Sequence, residues 1–247
     1  MKKPIIEIKD LYKSYNGLQV LQGVDLGIKR GETITILGGS GTGKSVLLKL
    51  ISGLEKPDQG AIRIDARNIV PLKEDELVPI RRKIGMLFQG AALFDSLSAG
   101  ENVAYPIREH FRLPEEEIQR IVQEKLRMVG LEGVEEKMPA ELSGGMKKRV
   151  GLARAIAIDP EIILYDEPTT GLDPANTQRI NQLIVELQRI LKVTSIVVTH
   201  DLDSAYQVTD RLALLYRGRI AMTGTKKEFE TSQIQEVQDF IAKKIVE

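Results

Sequence analysis

Cysteine is absent from the 247 residues. That excludes disulfides, zinc–thiolate sites and a cysteine nucleophile, and it fits a reducing cytoplasm. Excess charge is absent too. Lys plus Arg and Asp plus Glu number 35 each, whereas a dedicated nucleic-acid binder usually carries a basic surplus. No apolar run approaches the ~20 residues that span a bilayer, so any membrane role is expected to be peripheral, through another chain. The opening Met1-Lys2-Lys3-Pro4 meets charge again at Glu7 and Lys9, so no secretory apolar region is expected. Internal repeats and low-complexity tracts are missing. What is there is ordinary for a soluble globular chain: 42% hydrophobic and 28% charged residues, enough for one large domain or two lobes sharing a core.

One stretch stands out. Thr33–Leu37 is a short β-branched run with the composition of a buried strand. Gly38-Gly39-Ser40-Gly41-Thr42-Gly43-Lys44-Ser45 follows, at the G-x-x-x-x-G-K-[ST] spacing. Val46–Leu50 then reads as helix. A polyphosphate held by many backbone N–H groups needs a chain that curls without side chains in the way, hence the glycines. The helix start adds unpaired N–H groups and a dipole that favours anions. Lys44 supplies a mobile charge for the outer phosphates, and Ser45 an oxygen of the kind Mg²⁺ prefers.

Around this loop the chain alternates between strands and helices. Residues 5–30 fall into short strand-like pieces with turns at Asn16-Gly17 and Arg30-Gly31, a small antiparallel layer. Tyr15 precedes the first turn, where its ring suits stacking on a purine or half-burial in a strand. Residues 61–65 read as an alternating strand, and 82–89 as a strand ending in Gln89. Residues 90–158 read as an inserted helical lobe. One helix opens at Pro114-Glu115-Glu116-Glu117 and buries Ile118, Ile121, Val122, Leu126 and Val129. In the same lobe, Leu142-Ser143-Gly144-Gly145-Met146 forms a second anion-holding helix start. The basic cluster Lys147-Lys148-Arg149 after it reads as a solvated helix face.

Ile162–Asp166 is an apolar strand that ends in two adjacent carboxylates, Asp166 and Glu167. Alternation along a strand sends them in different directions. One suits Mg²⁺ and the other a water. A helix over 175–191 is expected to turn Ile180, Leu183, Ile184, Leu187 and Ile190 inward. Residues 194–199 form a second buried strand, closed by His200, at the edge where open α/β sheets bind ligands. His110, the only other histidine, lies on a charged stretch without an assigned role. Residues 212–222 read as a hairpin turning at Arg217-Gly218. Ile234, Val237, Phe240, Ile241 and Ile245 mark an amphipathic tail helix over 231–247.

Together these motifs resemble the ATP-binding subunits of ABC transporters over nearly the whole chain. The carriers are Gly38–Ser45 (Walker A), Gln89 (Q-loop), Leu142–Gly145 (signature), Ile162–Glu167 (Walker B with its glutamate), Gly171-Leu172-Asp173 (D-loop) and His200 (H-loop). Met146 stands where many members have glutamine, and Gly171-Leu172-Asp173 replaces the commoner Ser-Ala-Leu-Asp. The segments 88–97, 102–109 and 138–146 are similar to the ATPase of Mla (MCE-linked) phospholipid transporters. The resemblance implies an α/β P-loop NTPase core built from residues 1–89 and 159–230, with the antiparallel layer and the inserted helical subdomain.

The resemblance also implies roles. Gly38, Gly39, Ser40, Gly41, Thr42, Gly43 and Lys44 hold ATP, while Ser45, Gln89 and Asp166 hold Mg²⁺. Glu167 polarises the attacking water and His200 contacts the γ-phosphate. Tyr15 stacks on adenine. Ser143, Gly144, Gly145 and Asp173 serve the site of a second copy, head to tail. The expected partners are that homodimer mate, a permease docking around residues 89–110, an MCE-type lipid-binding protein and a small regulatory subunit, at the cytoplasmic face of the inner membrane. An amino-acid or other small-solute importer is the rival within transport. A non-transport ABC ATPase and a regulator without turnover are the rivals outside it.

Overall fold

The computed structural model describes residues 4–242. The chain runs β1 (Ile6–Tyr15), β2 (Leu18–Ile28), β3 (Thr33–Leu37), α1 (Lys44–Ile51), β4 (Gln59–Ile64), β5 (Arg67–Asn68), α2 (Glu74–Arg81) and β6 (Ile84–Leu87). It continues through α3 (Ala99–His110), α4 (Glu115–Met128), a 3₁₀ turn at Pro139–Glu141 and α5 (Gly144–Ala155). It closes with β7 (Ile162–Asp166), α6 (Pro174–Leu191), β8 (Thr194–Thr199), α7 (Leu202–Val208), β9 (Arg211–Tyr216), β10 (Arg219–Gly224), α8 (Lys226–Glu230) and α9 (Gln235–Ile241).

Two sheets result. The first is antiparallel, in the order β2-β1-β4-β5. Its first hairpin turns on Asn16 (φ 48°) and Gly17 (φ 84°), the two left-handed residues a two-residue hairpin favours. The second has the order β10-β9-β3-β8-β7-β6. Its strands are parallel except β10, which folds back on β9. The expected hairpin at 212–222 therefore also extends the central sheet, because β9 pairs with β3.

Register decides where the site lies. Leu37 pairs with Thr199, and Asp166 with Val198. The carboxyl ends of β3, β7 and β8 are thus level, and Gly38, Glu167 and His200 leave the sheet at one edge, where ligands of such sheets bind.

Three apolar cores hold this arrangement. One packs Leu47, Leu48 and Ile51 of α1 between the two sheets. A second joins the far face of the parallel sheet to the helical region and α6. The third gathers Phe229, Val237 and Phe240 against Leu37, Leu212 and Leu214. The tail helix thus docks on its own sheet, and its described part is only Gln235–Ile241. Ile234 of the expected apolar face is exposed, and Ile245 lies outside the described residues.

The helical region starts on a well-made cap. Glu101 N–H donates to Ser98 Oγ (3.2 Å), and Ser98 N–H donates back to Glu101 Oε2 (2.8 Å). In α4, Pro114 is the N-cap rather than the first helical residue, with Glu115, Glu116 and Glu117 in the first turn. Ile118, Val122 and Leu126 are buried there as the spacing predicts. In α6, Ile180, Leu183, Ile184 and Leu187 are buried, but Ile190 is exposed. Leu191, four residues past Leu187, takes the stripe's last place in the second core.

Candidate functional site

The glycine loop is shaped by close approach. A Cβ on Gly38 would lie 2.7 Å from both the Leu215 carbonyl oxygen and Thr42 Oγ1. Gly43, the N-cap of α1, has φ 98° and packs under Val20 and Leu21. A side chain at Gly38 would press on backbone, and one at Gly43 would press on Val20 and Leu21 while straining a left-handed φ. Lys44, the first residue of α1, is buried and folds back over the loop. Its Nζ donates to Gly38 O (2.9 Å) and Gly39 O (2.8 Å) and lies 3.3 Å from Glu167 Oε1. Gly39, Ser40, Gly41 and Thr42 form the loop's outer rim beside a cavity of about 580 Å³.

The two carboxylates at the end of β7 take separate partners. Asp166 Oδ1 accepts from Ser45 Oγ at 2.7 Å. Burial pushes the Asp166 carboxyl above the usual range, although the Ser45 hydroxyl pulls the other way. Glu167 Oε2 accepts from Thr170 Oγ1 (3.0 Å) and Thr199 Oγ1 (3.2 Å) and meets His200 Nδ1 at 3.0 Å. Burial alone would raise the Glu167 carboxyl. The His200 hydrogen bond and the Lys44 charge outweigh it and hold the group below the usual range.

Glu167 also has φ 45°. A left-handed non-glycine residue costs about 1–2 kcal/mol, and Pro168 after it narrows its backbone further. Its N–H donates to Val198 O at 3.0 Å, and its carbonyl accepts from Thr170 N–H (3.3 Å) and from Lys148 Nζ (3.1 Å).

Lys148 corrects the reading of Lys147-Lys148-Arg149 as a solvated face. Its side chain is buried, on the side of α5 that faces Glu167. Arg149, half-buried, donates from Nη1 to Gly130 O at 2.8 Å. Thr170, Thr199 and Lys148 are site residues that motif spacing does not single out. The available signal was spacing: Lys148 shares a helical face with Leu152 and Ala155, four and seven residues on, which are apolar.

Two expected binders stand elsewhere. Tyr15 donates its hydroxyl to Glu55, and burial with that carboxylate pushes the phenol up to about 12. The cavity beside the loop is lined instead by Leu18, Val20, Tyr216 and Arg217. Gln89 is exposed, two residues beyond β6, and makes no hydrogen bond to Ser45 or Asp166 among the described residues.

The signature and D-loop residues form their own patch. Ser143 caps α5, accepting from Met146 N–H at 3.3 Å. Asp173 caps α6, and both its oxygens accept from Asn176, at 2.9 and 2.6 Å. Gly145 lies against Asn176, where a Cβ would come 2.3 Å from Oδ1. No described hydrogen bond links this patch to Gly38–Ser45 of the same chain.

For a metal, Ser45 Oγ and Asp166 Oδ1 present two hard oxygens 2.7 Å apart. No cluster of three His, Asp or Glu side chains suited to an ion occurs among the described residues. That suits Mg²⁺, which is bound by one or two protein oxygens with phosphates and water rather than by an all-protein cage. No described helix is long and apolar enough to cross a membrane.

Comparison with known proteins agrees with this geometry. Residues 21–170 match the family model described as "ABC transporter". The chain is 45% identical to the probable ribonucleotide transport ATP-binding protein mkl of Mycobacterium leprae, over 96% of this chain and 68% of that one. It is 43% identical to the intermembrane phospholipid transport system ATP-binding protein MlaF of Haemophilus influenzae, over 98% of this chain and 91% of that one. A dimeric ATP-binding cassette solved in a post-hydrolysis state with ADP and phosphate superposes at TM-score 0.84. It is 38% identical and covers 89% of this chain and 98% of its own. The chain belongs to the ABC transporter family, as an ATP-binding, ATP-hydrolysing subunit.

Proposed function

We propose that the chain works as one half of a head-to-tail homodimer that powers an Mla/MCE-type phospholipid permease from the cytoplasmic face of the inner membrane. The observation that carries the chemistry is Glu167 held between Lys44 and His200 at the edge where the glycine loop opens. Phosphoryl transfer asks a protein mainly to position groups and stabilise charge. When bound, Mg²⁺ would neutralise charge on the transferring phosphate; the paired oxygens of Ser45 and Asp166 would hold it, and Gln89, exposed just beyond β6 in this structure, would swing in to join them. Lys44 leaves Glu167 for the β- and γ-phosphate oxygens. Glu167, freed of that cation and held ionised, polarises the attacking water. His200 contacts the γ-phosphate. Tyr15, bonded to Glu55 in this structure, gives up that partner and turns its ring to adenine when nucleotide binds.

Ser143, Gly144, Gly145 and Asp173 sit apart from the chain's own loop, and they complete the site of a second copy. The dimeric solved relative supports this reading. The permease docks in a groove of about 330 Å³ between β6 and α3, whose lining includes Met86, Phe88, Phe94, Tyr105 and Arg154. Phe94 and Tyr105 pack there at a 45° tilt with ring centres 4.8 Å apart, each more than two-fifths exposed. The MlaF relative, by name part of an intermembrane phospholipid transport system, supports phospholipid as cargo. An MCE-type lipid-binding protein and a small regulatory subunit complete the proposed set of partners. A second reading, a small-solute importer, rests on a methionine import ATP-binding protein of Brucella abortus at 42% identity, of which the chain covers 60%.

Isolation from native membranes decides between the two. A polytopic permease carrying phospholipid supports the first reading. A solute permease without lipid overturns the cargo and leaves the ATPase.

A further inference from the structure

We propose that Lys148 is a positioning residue for hydrolysis: it ties the signature helix α5 to the backbone of Glu167. The proposal rests on Glu167 being the water-polarising group of the preceding section.

Three observations converge on it. Glu167 is held in a left-handed backbone conformation, φ 45°, which persists only where the surroundings over-determine it. Its carbonyl has two partners: Thr170 N–H on its own loop, and the Lys148 ammonium at 3.1 Å. Lys148 is buried and donates no other described hydrogen bond. A buried ammonium is retained at a cost unless it is paired. This one faces Asp166 and Glu167, yet its hydrogen bond goes to the peptide and not to either carboxylate. Its contact therefore sets where the Glu167 backbone sits and leaves the carboxylate oxygens to Lys44, Thr170, Thr199 and His200.

The helix makes this tie directional. Ser143, the N-cap of α5, is exposed at the start of the same rigid rod, five residues before Lys148. Arg154, in its last turn, donates to Ala91 O and Ala92 O, both at 2.7 Å, in the loop that follows Gln89. One helix thus touches the surface offered to a second copy, the peptide of the chain's own Glu167, and the segment bordering the Phe94–Tyr105 groove. A rotation of α5 at either end displaces the Glu167 peptide through Lys148. The carboxylate that serves one site is in this way set by the helix whose start serves the other.

The test uses the full chain, with Lys148→Met, Lys148→Arg and Glu167→Gln. Lys148→Met is expected to lower kcat about tenfold or more, leave KM for ATP within about twofold, and leave ATP-driven dimerisation intact when placed on Glu167→Gln; tenfold corresponds to about 1.4 kcal/mol in the barrier. Lys148→Arg, which keeps a long cationic donor, recovers most of kcat. If Lys148→Met does not fold, Lys148→Gln, uncharged and too short to reach, is expected to show the same split. Parent kcat in Lys148→Met overturns the proposal. So does equal loss of kcat and ATP binding in both Met and Arg variants, which marks a purely structural residue. Turnover by Glu167→Gln overturns the reading beneath it; an inactive Glu167→Gln beside a fully active Lys148→Met overturns the proposal alone.

Discussion

Lys44 Nζ lies 3.3 Å from Glu167 Oε1, with both side chains nine-tenths or more buried. The ammonium of the glycine loop thus neutralises the carboxylate at the end of β7. Removing one member of a buried ion pair typically costs about 3–5 kcal/mol, although here Thr170, Thr199 and His200 remain on Glu167. Lys44→Met is therefore expected to lower stability in urea by about 3 kcal/mol, less whatever His200 recovers. The double variant Lys44→Met/Glu167→Gln is expected to be more stable than Lys44→Met alone.

Turnover separates the roles further. Glu167→Gln keeps the size of the side chain but removes its charge and turns one acceptor oxygen into a donor. ATP binding is expected to survive while hydrolysis falls by at least about a hundredfold, the scale of a lost positioned base. Nucleotide binding and phosphate release, measured on the same preparation, check it. Turnover near the parent rate removes Glu167 from its role.

Asp166 carries a stability cost of its own. Its folded pKa is raised above the ordinary value of 3.8. Such a group favours the fold while protonated, and that contribution is lost as pH rises through its folded pKa. At neutral pH it therefore works against folding, so Asp166→Asn is expected to melt higher than the parent at pH 7. The gain should shrink as pH falls towards the unfolded value of 3.8. Glu167, with its pKa below 4.5, has the opposite sign. Its contribution is present above 4.5 and is lost as pH falls through its lower folded value. Melting curves of Asp166→Asn and Glu167→Gln from pH 7 downward distinguish the two.

A Cβ on Gly145 would meet Asn176 Oδ1 at 2.3 Å, and that amide is pinned by its bond to Asp173. Gly145→Ala is expected to push α5 away from the start of α6 at a cost of about 1–3 kcal/mol. ATP-driven dimerisation should weaken with it. Asn176→Ala removes the obstructing amide, and the double variant is expected to dimerise better than Gly145→Ala alone. Light scattering with ATP in a Glu167→Gln background reads this directly.

The groove beside β6 makes a separate prediction. Phe94→Ala and Tyr105→Ala remove exposed rings from a groove that neither Lys44 nor Glu167 lines. The isolated chain's ATPase rate is expected to stay within about twofold. Permease association should weaken by about tenfold or more, the scale of a buried aromatic anchor. Retained association with the permease overturns the assignment of that groove.

Much of the site was legible in the order of residues because its parts are local. The glycine loop, the helix start at Ser143 and the strand ending in Asp166-Glu167 each depend on neighbours a few positions away. Lys148 was misread because its burial depends on β7, reached only after the chain has left α5. Ile190 was misread for a related reason: helical spacing marks a face, but the packing partner decides how far along that face the core extends.

The amino-acid order by itself determined the family, the chemistry of the loop and the alternation of strands and helices, since these follow from backbone conformations that individual residues permit. Only the tertiary structure decided that Lys44 folds onto Glu167, that Tyr15 turns to Glu55 and that Lys148 holds a strained peptide. Each of those contacts joins residues brought together by strand register and burial, and a buried charge takes whichever partner the packed chain puts within reach.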